Sequence, residues 1–229
     1  MTEPGRAESA AALAQCPRLA AGEPFDFVCA GCGDCCRNRR DLVLSGYDLY
    51  RIARRLGLHP RLTEHAFCKQ EFAPQTLLPA VVLRPNARTG NCPFFEADAC
   101  TIHAARPLAC ALYPLGQAIV DPATAAMEYY VQLPLCGARV SAQEQRTLQN
   151  YLDDAAITAR AGIDARWAVV CTQLSDKLQQ AGGRENPRYL PAARRIARAL
   201  YFDYSIQDDF YPQFNANTQA LWPLLDKML

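Results

Sequence analysis

The sequence predicts an α+β fold in which a cysteine-rich metal-binding region of short β-hairpins and helices precedes an all-α C-terminal segment. Two observations predict it. Nine cysteines fall between Cys29 and Cys136, whereas Cys171 is the only one after that stretch. Short β-prone runs bounded by turn residues occupy the first part of the chain, and helical periodicity takes over from about residue 141.

Residues 1–24 are rich in Ala, Gly, Pro and Glu, and read as a flexible N-terminal arm or a loosely docked helix. Residues 25–140 form the cysteine-cluster domain, and 141–229 a helical region that packs on it. Within the domain, Asp41 to Leu44 reads as a short strand. Ser45, with Asp48 three residues on, is an N-cap signature for a helix that turns Leu49, Ile52, Ala53 and Leu56 inward and ends at Gly57. A second short helix is expected over 61–71. The run Ala80 to Arg84 is apolar and β-prone, and the turn-rich stretch after it suggests a hairpin with Cys92 to Phe95. A second hairpin is expected from Leu115–Val120 to Met127–Val131 across Asp121-Pro122-Ala123-Thr124. Between the two, His103 to Leu112 reads as one or two helical turns broken by Pro107.

The helical region opens on Ser141-Ala142-Gln143-Glu144, a capping-box signature, with Leu148, Tyr151, Leu152 and Ala155 following at helical spacing. Trp167, Val170, Leu174 and Leu178 trace a second stripe, closed by Gly182-Gly183. Further helices are expected at 190–202 and near the C-terminus. These stripes read as packed core rather than as binding surfaces.

Charge and cysteine usage restrict the function. The 229 residues carry 24 basic and 23 acidic side chains, a balance that argues against nucleic acid or an anionic membrane as the main partner. No run approaches the roughly 18 apolar residues of a membrane-spanning helix. The N-terminus lacks a basic n-region, so a cytoplasmic location is expected. In that reducing compartment clustered thiols are more often metal ligands or redox groups than disulfides. The count of 11 cysteines is odd, which forbids complete intramolecular pairing.

The sharpest local signal is Cys29-Ala-Gly-Cys32-Gly-Asp-Cys35-Cys36. Two-residue spacing lets Cys29, Cys32 and Cys35 curl around one centre, and the glycines permit the tight turn. Cys36 diverges from Cys35 and suits a second metal, a bridging role or redox chemistry. Downstream lie Cys92-Pro-Phe-Phe, Cys100-Thr-Ile-His103, Arg106-Pro-Leu-Ala-Cys110 and Cys136-Gly. Together Cys29, Cys32, Cys35, Cys36, Cys92, Cys100, Cys110 and Cys136 make eight candidate thiolates, enough for two four-coordinate sites. The C-x2-C-x2-C run is similar to the start of a ferredoxin-type cluster loop, and its first half to a zinc knuckle. Thiolates suit both metals, so residue type leaves iron–sulfur and zinc open. His103 is a candidate for ligation or contact with a ligand, and Arg106 for stabilising an anionic centre. Cys16, Cys68 and Cys171 read as structural.

The ordered motifs CAGCGDCC, GNCPFF, ACTIHAARPLAC and ALYP resemble the CxxCxxCC cysteine-cluster family, described as zinc- or iron-chelating, over roughly residues 25–140. The cysteine region is also similar to that of flagellin lysine N-methylases. The resemblance implies metal binding by Cys29, Cys32, Cys35, Cys36, Cys92, Cys100 and Cys110, with Cys136 the loosest match. Methyl transfer is carried by that likeness alone, because no glycine-rich strand-to-helix fingerprint is present. Two functions are expected: an iron–sulfur protein, with a [4Fe–4S] cluster preferred, doing electron transfer or other redox chemistry with a redox or protein partner; or a structural zinc module that mediates protein interaction. No catalytic residue stands out.

Overall fold

A computed structural model of the 229-residue chain describes residues 15–25, 27, 29, 33–37, 42–121, 123–132 and 146–229. It combines helices with small antiparallel sheets, and a run of helices forms the C-terminal part.

The capping residues set the first helix. Ser45 Oγ accepts from the Asp48 amide and Asp48 Oδ2 accepts from the Ser45 amide, both at 3.1 Å, so two otherwise unpaired N–H groups are satisfied at the start of α1, Gly46–Leu56. Gly57 ends it in the left-handed conformation, at φ 67°. The expected face of Leu49, Ile52 and Ala53 is fully buried. Helix α2 spans Pro60–Phe67, with proline at its first position.

Strand β1 is Arg18–Leu19, β2 Val43–Leu44, β3 Cys68–Phe72 and β4 Pro79–Leu83. Strands β2, β4 and β3 form one sheet in that order. Two expectations are corrected here. The helix expected over 61–71 stops at Phe67, because residues from Cys68 onward pair with β4. Strand β4 therefore finds its partners in β2 and β3 and does not form a hairpin with Cys92 to Phe95. The latter segment makes its own ladder, β5 at Phe95–Glu96 with β6 at Ala99–Cys100.

A 3₁₀ turn at His103–Ala105 and helix α3, Leu108–Leu112, follow on either side of Pro107, as the sequence suggests. The second expected hairpin forms as β7, Leu115–Asp121, with β8, Ala126–Val131. Strand β1 adds to the far edge of β8, and Pro24 bridges to Thr147. Residues 18–24, expected to belong to a flexible arm, are thus tied into the sheet and to the start of the next helix.

The Ser141 capping box lies outside the described residues. The described helix α4 runs Leu148–Asp154 from a capping box of Thr147 and Asn150. Helix α5, Ala161–Gln180, buries Val170, Leu174 and Leu178. Helix α6, Tyr189–Ala197, continues into a π-turn at Arg198–Phe202, and α7 is Phe210–Met228.

Two apolar cores result. The larger joins α1 and the β2–β4–β3 sheet to α5, α6, the π-turn and α7, and includes Phe94 and Ile102. The smaller gathers Phe25, Phe27, Ala111, Leu112, Leu115, Leu148, Tyr151, Leu152 and Ile157. Between them lies a buried ionic cluster. Arg160 Nη1 is 2.8 Å from Asp48 Oδ1, while its Nε and Nη2 donate to Asp164 at 2.7 and 2.9 Å. Burial works against the Arg160 charge, but the two carboxylates outweigh it and hold the guanidinium firmly protonated. Asp48 Oδ1 also accepts from the Leu108 amide at 3.0 Å. One carboxylate thereby caps α1, satisfies the start of α3 and anchors Arg160.

Candidate metal centre

The centre is assembled from short turns, each fixed by local backbone bonds. Residues Asp34–Cys36 make one 3₁₀ turn, closed by the Cys36 and Arg37 amides donating to the Gly33 carbonyl at 2.8 and 3.1 Å. The Cys36 carbonyl then accepts from the Cys92 amide at 2.8 Å. That bond joins the first cysteine segment to the second. Cys92 in turn accepts the Phe95 amide at 3.1 Å, and Thr101 donates to Phe94 at 2.9 Å, which folds the β5–β6 ladder back and presents Cys100. Pro107 starts α3, where Cys110 sits in the middle of its single turn and a half.

Phe95 docks the two segments. Its ring lies against Gly33 on one side and takes the Arg37 guanidinium over it at 4.9 Å, and Arg37 Nη2 reaches Asp98 at 2.9 Å. Gly33 has φ +74°, and a Cβ built there would come within 2.2 Å of Phe95. No side chain fits.

These turns enclose a cavity of about 240 Å³ lined by six thiols, those of Cys29, Cys35, Cys36, Cys92, Cys100 and Cys110. Its apolar wall comes from both cores, with Phe27 from the smaller and Leu42, Leu83, Phe94 and Ile102 from the larger. The thiols sense one another. The Cys36 thiol is pushed up by its hydrogen bond with Cys35, then by burial and by the charges of Cys35, Cys92 and Cys100. Burial raises Cys100, with Cys35 and Cys29 adding to the effect, while the Ile102 amide and Arg106 oppose it. Among the described residues no three His, Cys, Asp or Glu side chains converge closely enough to hold a single ion. The sulfurs stand around a space rather than at a point.

His103 and Arg106 line the same cavity. Arg106 Nη1 donates to His103 Nε2 at 2.5 Å, and burial together with the Arg106 charge lowers the His103 pKa. The imidazole is therefore neutral, with Nε2 turned to Arg106. Arg106 is itself held in place from α1, since Arg51 donates to the carbonyls of Ala104 at 2.7 Å and Arg106 at 3.3 Å. Cys32 and Cys136, the other two candidate thiolates, lie outside the described residues.

Three features escaped the sequence reading. Phe27, Leu42 and Leu83 line the cavity, and only their apolar character hinted at burial. Tyr113 also lines it. The Asp48–Arg160–Asp164 cluster left two separate local signals, the cap at Asp48 and the four-residue spacing of Arg160 and Asp164, with nothing in the sequence to join them.

Of the cysteines read as structural, Cys68 is buried in the larger core. Burial, aided by Glu64, pushes its thiol up to about 12. A raised acid pKa means that the folded state keeps the proton while the unfolded chain loses it above about pH 8.5, so this group's contribution to stability falls as pH rises from there. In metal-free protein at pH 8, iodoacetamide should modify exposed Cys29 at least about tenfold faster than Cys68. Peptide mass mapping reads the order, and equal rates would show that Cys68 is not shielded.

Residues 28–137 match the family model CxxCxxCC, described as "putative zinc- or iron-chelating domain". No curated protein and no solved structure matches the chain. Among the described residues, no helix is long and apolar enough to cross a membrane.

Proposed function

Because the chain carries a CxxCxxCC domain at residues 28–137, we propose that it holds one polynuclear iron–sulfur centre for electron transfer or related redox chemistry. The observation that carries this reading is the single cavity of about 240 Å³ with six thiols on its wall. A structural zinc ion needs only four donors about 2.0–2.3 Å from one point, whereas six described thiols share the wall of this cavity. Thiolates spaced around a cavity suit a cluster, whose irons lie apart and bind one sulfur each.

The donor set fits in chemistry as well. Thiolates are the ordinary ligands of such clusters, and the ligands would come from Cys29, Cys35, Cys36, Cys92, Cys100 and Cys110, with Cys32 and Cys136 completing the eight named from sequence. When bound, the group supplies one-electron chemistry. The protein's own part is to exclude water with Phe27, Phe94 and Ile102, and to set Arg106 near Cys100, where its charge favours the thiolate. Burial and nearby charge are two of the levers that tune a cluster's potential. A cytoplasmic location and a redox partner accord with this reading.

The test is anaerobic purification of the full chain with an absorbance spectrum and metal analysis. We expect brown protein with iron and inorganic sulfide, absorbing near roughly 400 nm, and loss of most of that absorbance in Cys36→Ala and Cys92→Ala. Colourless protein containing zinc and no iron would replace this reading with the structural zinc module.

A further inference from the structure

A second groove, lined by none of the thiols, lies along α1. Tyr47, Tyr50, Arg51, Arg54 and Arg55 follow one another at helical spacing and, with Ala104 and Ala105, line a groove of about 440 Å³. No carboxylate lines it. We propose that this groove binds the phosphate group of a small phosphorylated molecule, with Arg54 and Arg55 as its principal contacts.

Three guanidiniums within five residues, little more than one turn, repel one another, and like charges four residues apart, as at Arg51 and Arg55, destabilise a helix. Among the described residues the exposed Asp209 alone comes within ion-pair distance of them, its Oδ1 3.9 Å from Arg54 Nη1, while the buried Asp164 feels the Arg51 charge from further off. A bound anion would relieve that repulsion. Two of the three side chains are already held in place. Arg54 Nη1 donates to the Tyr50 hydroxyl at 3.1 Å, and that hydroxyl donates to the Asp208 carbonyl at 2.5 Å. Arg51 is held by the carbonyls of Ala104 and Arg106. Prepositioned guanidinium forks lose little entropy on binding and match the oxygens of phosphate. The half-buried ring of Tyr47, 6.4 Å from the buried ring of Tyr50 and nearly parallel to it, gives the groove an aromatic wall beside the charges. The groove is shallow and open, and its volume of about 440 Å³ lies within the usual range of ligand pockets.

The experiment is calorimetric titration of the purified full-length protein with inorganic phosphate and, separately, with adenosine monophosphate. Saturable binding of one molecule per chain is expected, weakening with added salt, and at least tenfold weaker in the double variant Arg54→Gln/Arg55→Gln. Arg184→Gln, at another exposed arginine, should bind as the unaltered protein does. Tighter binding of the nucleotide would assign the aromatic wall to its base, and equal binding would assign the site to phosphate alone; both support the proposal. Absence of saturable binding by either probe, or equal binding by the double variant with an unchanged melting curve, would overturn it. Both glutamines replace exposed side chains, so the fold should survive. The metal content of the same samples is read independently, so failure here would leave the iron–sulfur reading standing.

Discussion

Replacing Asp48 with alanine should lower the stability of the protein by about 3–5 kcal/mol, the usual cost of removing one partner from a buried ion pair. That is a large share of the roughly 5–15 kcal/mol that keeps a domain folded. The loss has three sources. Arg160 loses its contact at 2.8 Å and is left with Asp164 alone; the Leu108 amide loses its acceptor at 3.0 Å; and α1 loses half of its capping box. Asp48→Asn should restore part of the cap and little of the ion pair, and so fall between alanine and the original. Urea unfolding monitored by circular dichroism measures the difference, and a loss below 1 kcal/mol for the alanine variant would show that the cluster contributes little. Because the Leu108 amide starts the helix that carries Cys110, the same variant should also retain less metal.

Gly33→Ala should remove most of the bound metal and cost about 2–5 kcal/mol. The lower part of that range is the penalty of roughly 1–2 kcal/mol for a side chain in the left-handed region. The rest is overpacking, about 1–3 kcal/mol, since the new methyl would sit 2.2 Å from the Phe95 ring. Relief requires Phe95 to move, and Phe95 is what seats the Cys35–Cys36 turn on the β5–β6 ladder. Metal analysis beside thermal unfolding separates the two effects. Full occupancy in Gly33→Ala would mean that the turn does not need this close approach. A companion Phe95→Ala change should relieve the clash and recover some stability but not the metal.

What could be read from the chain follows from how local each cause is. The α1 helix was legible because its cap, its buried stripe and its terminal glycine all lie within thirteen residues and agree. The β7–β8 hairpin was legible for the same reason, a turn sequence flanked by two β-prone runs. Cys68–Phe72 was misread because Lys69, Gln70 and Glu71 suit a helix on their own, and only pairing with β4 makes them a strand. The partner of β4 was likewise a long-range matter. At the site, the cysteine spacing identified the thiols, whereas the wall of the cavity came from residues whose sole mark was being apolar. The Asp48–Arg160 contact was invisible because Asp48 meets the local Arg160–Asp164 pair only when the two cores pack.

The thiols around the cavity come from two stretches of chain, one ending at Cys36 and the other running from Cys92 to Cys110, with the β2–β4–β3 sheet and two helices lying between them in sequence. A centre that binds sulfur from both stretches is a crosslink across a long loop. By analogy with a disulfide closing a loop of about 55–80 residues, it would remove from the unfolded chain freedom equivalent to ~4–5 kcal/mol. While its thiolate bonds persist, such a centre would restrict the unfolded chain as well as brace the folded one.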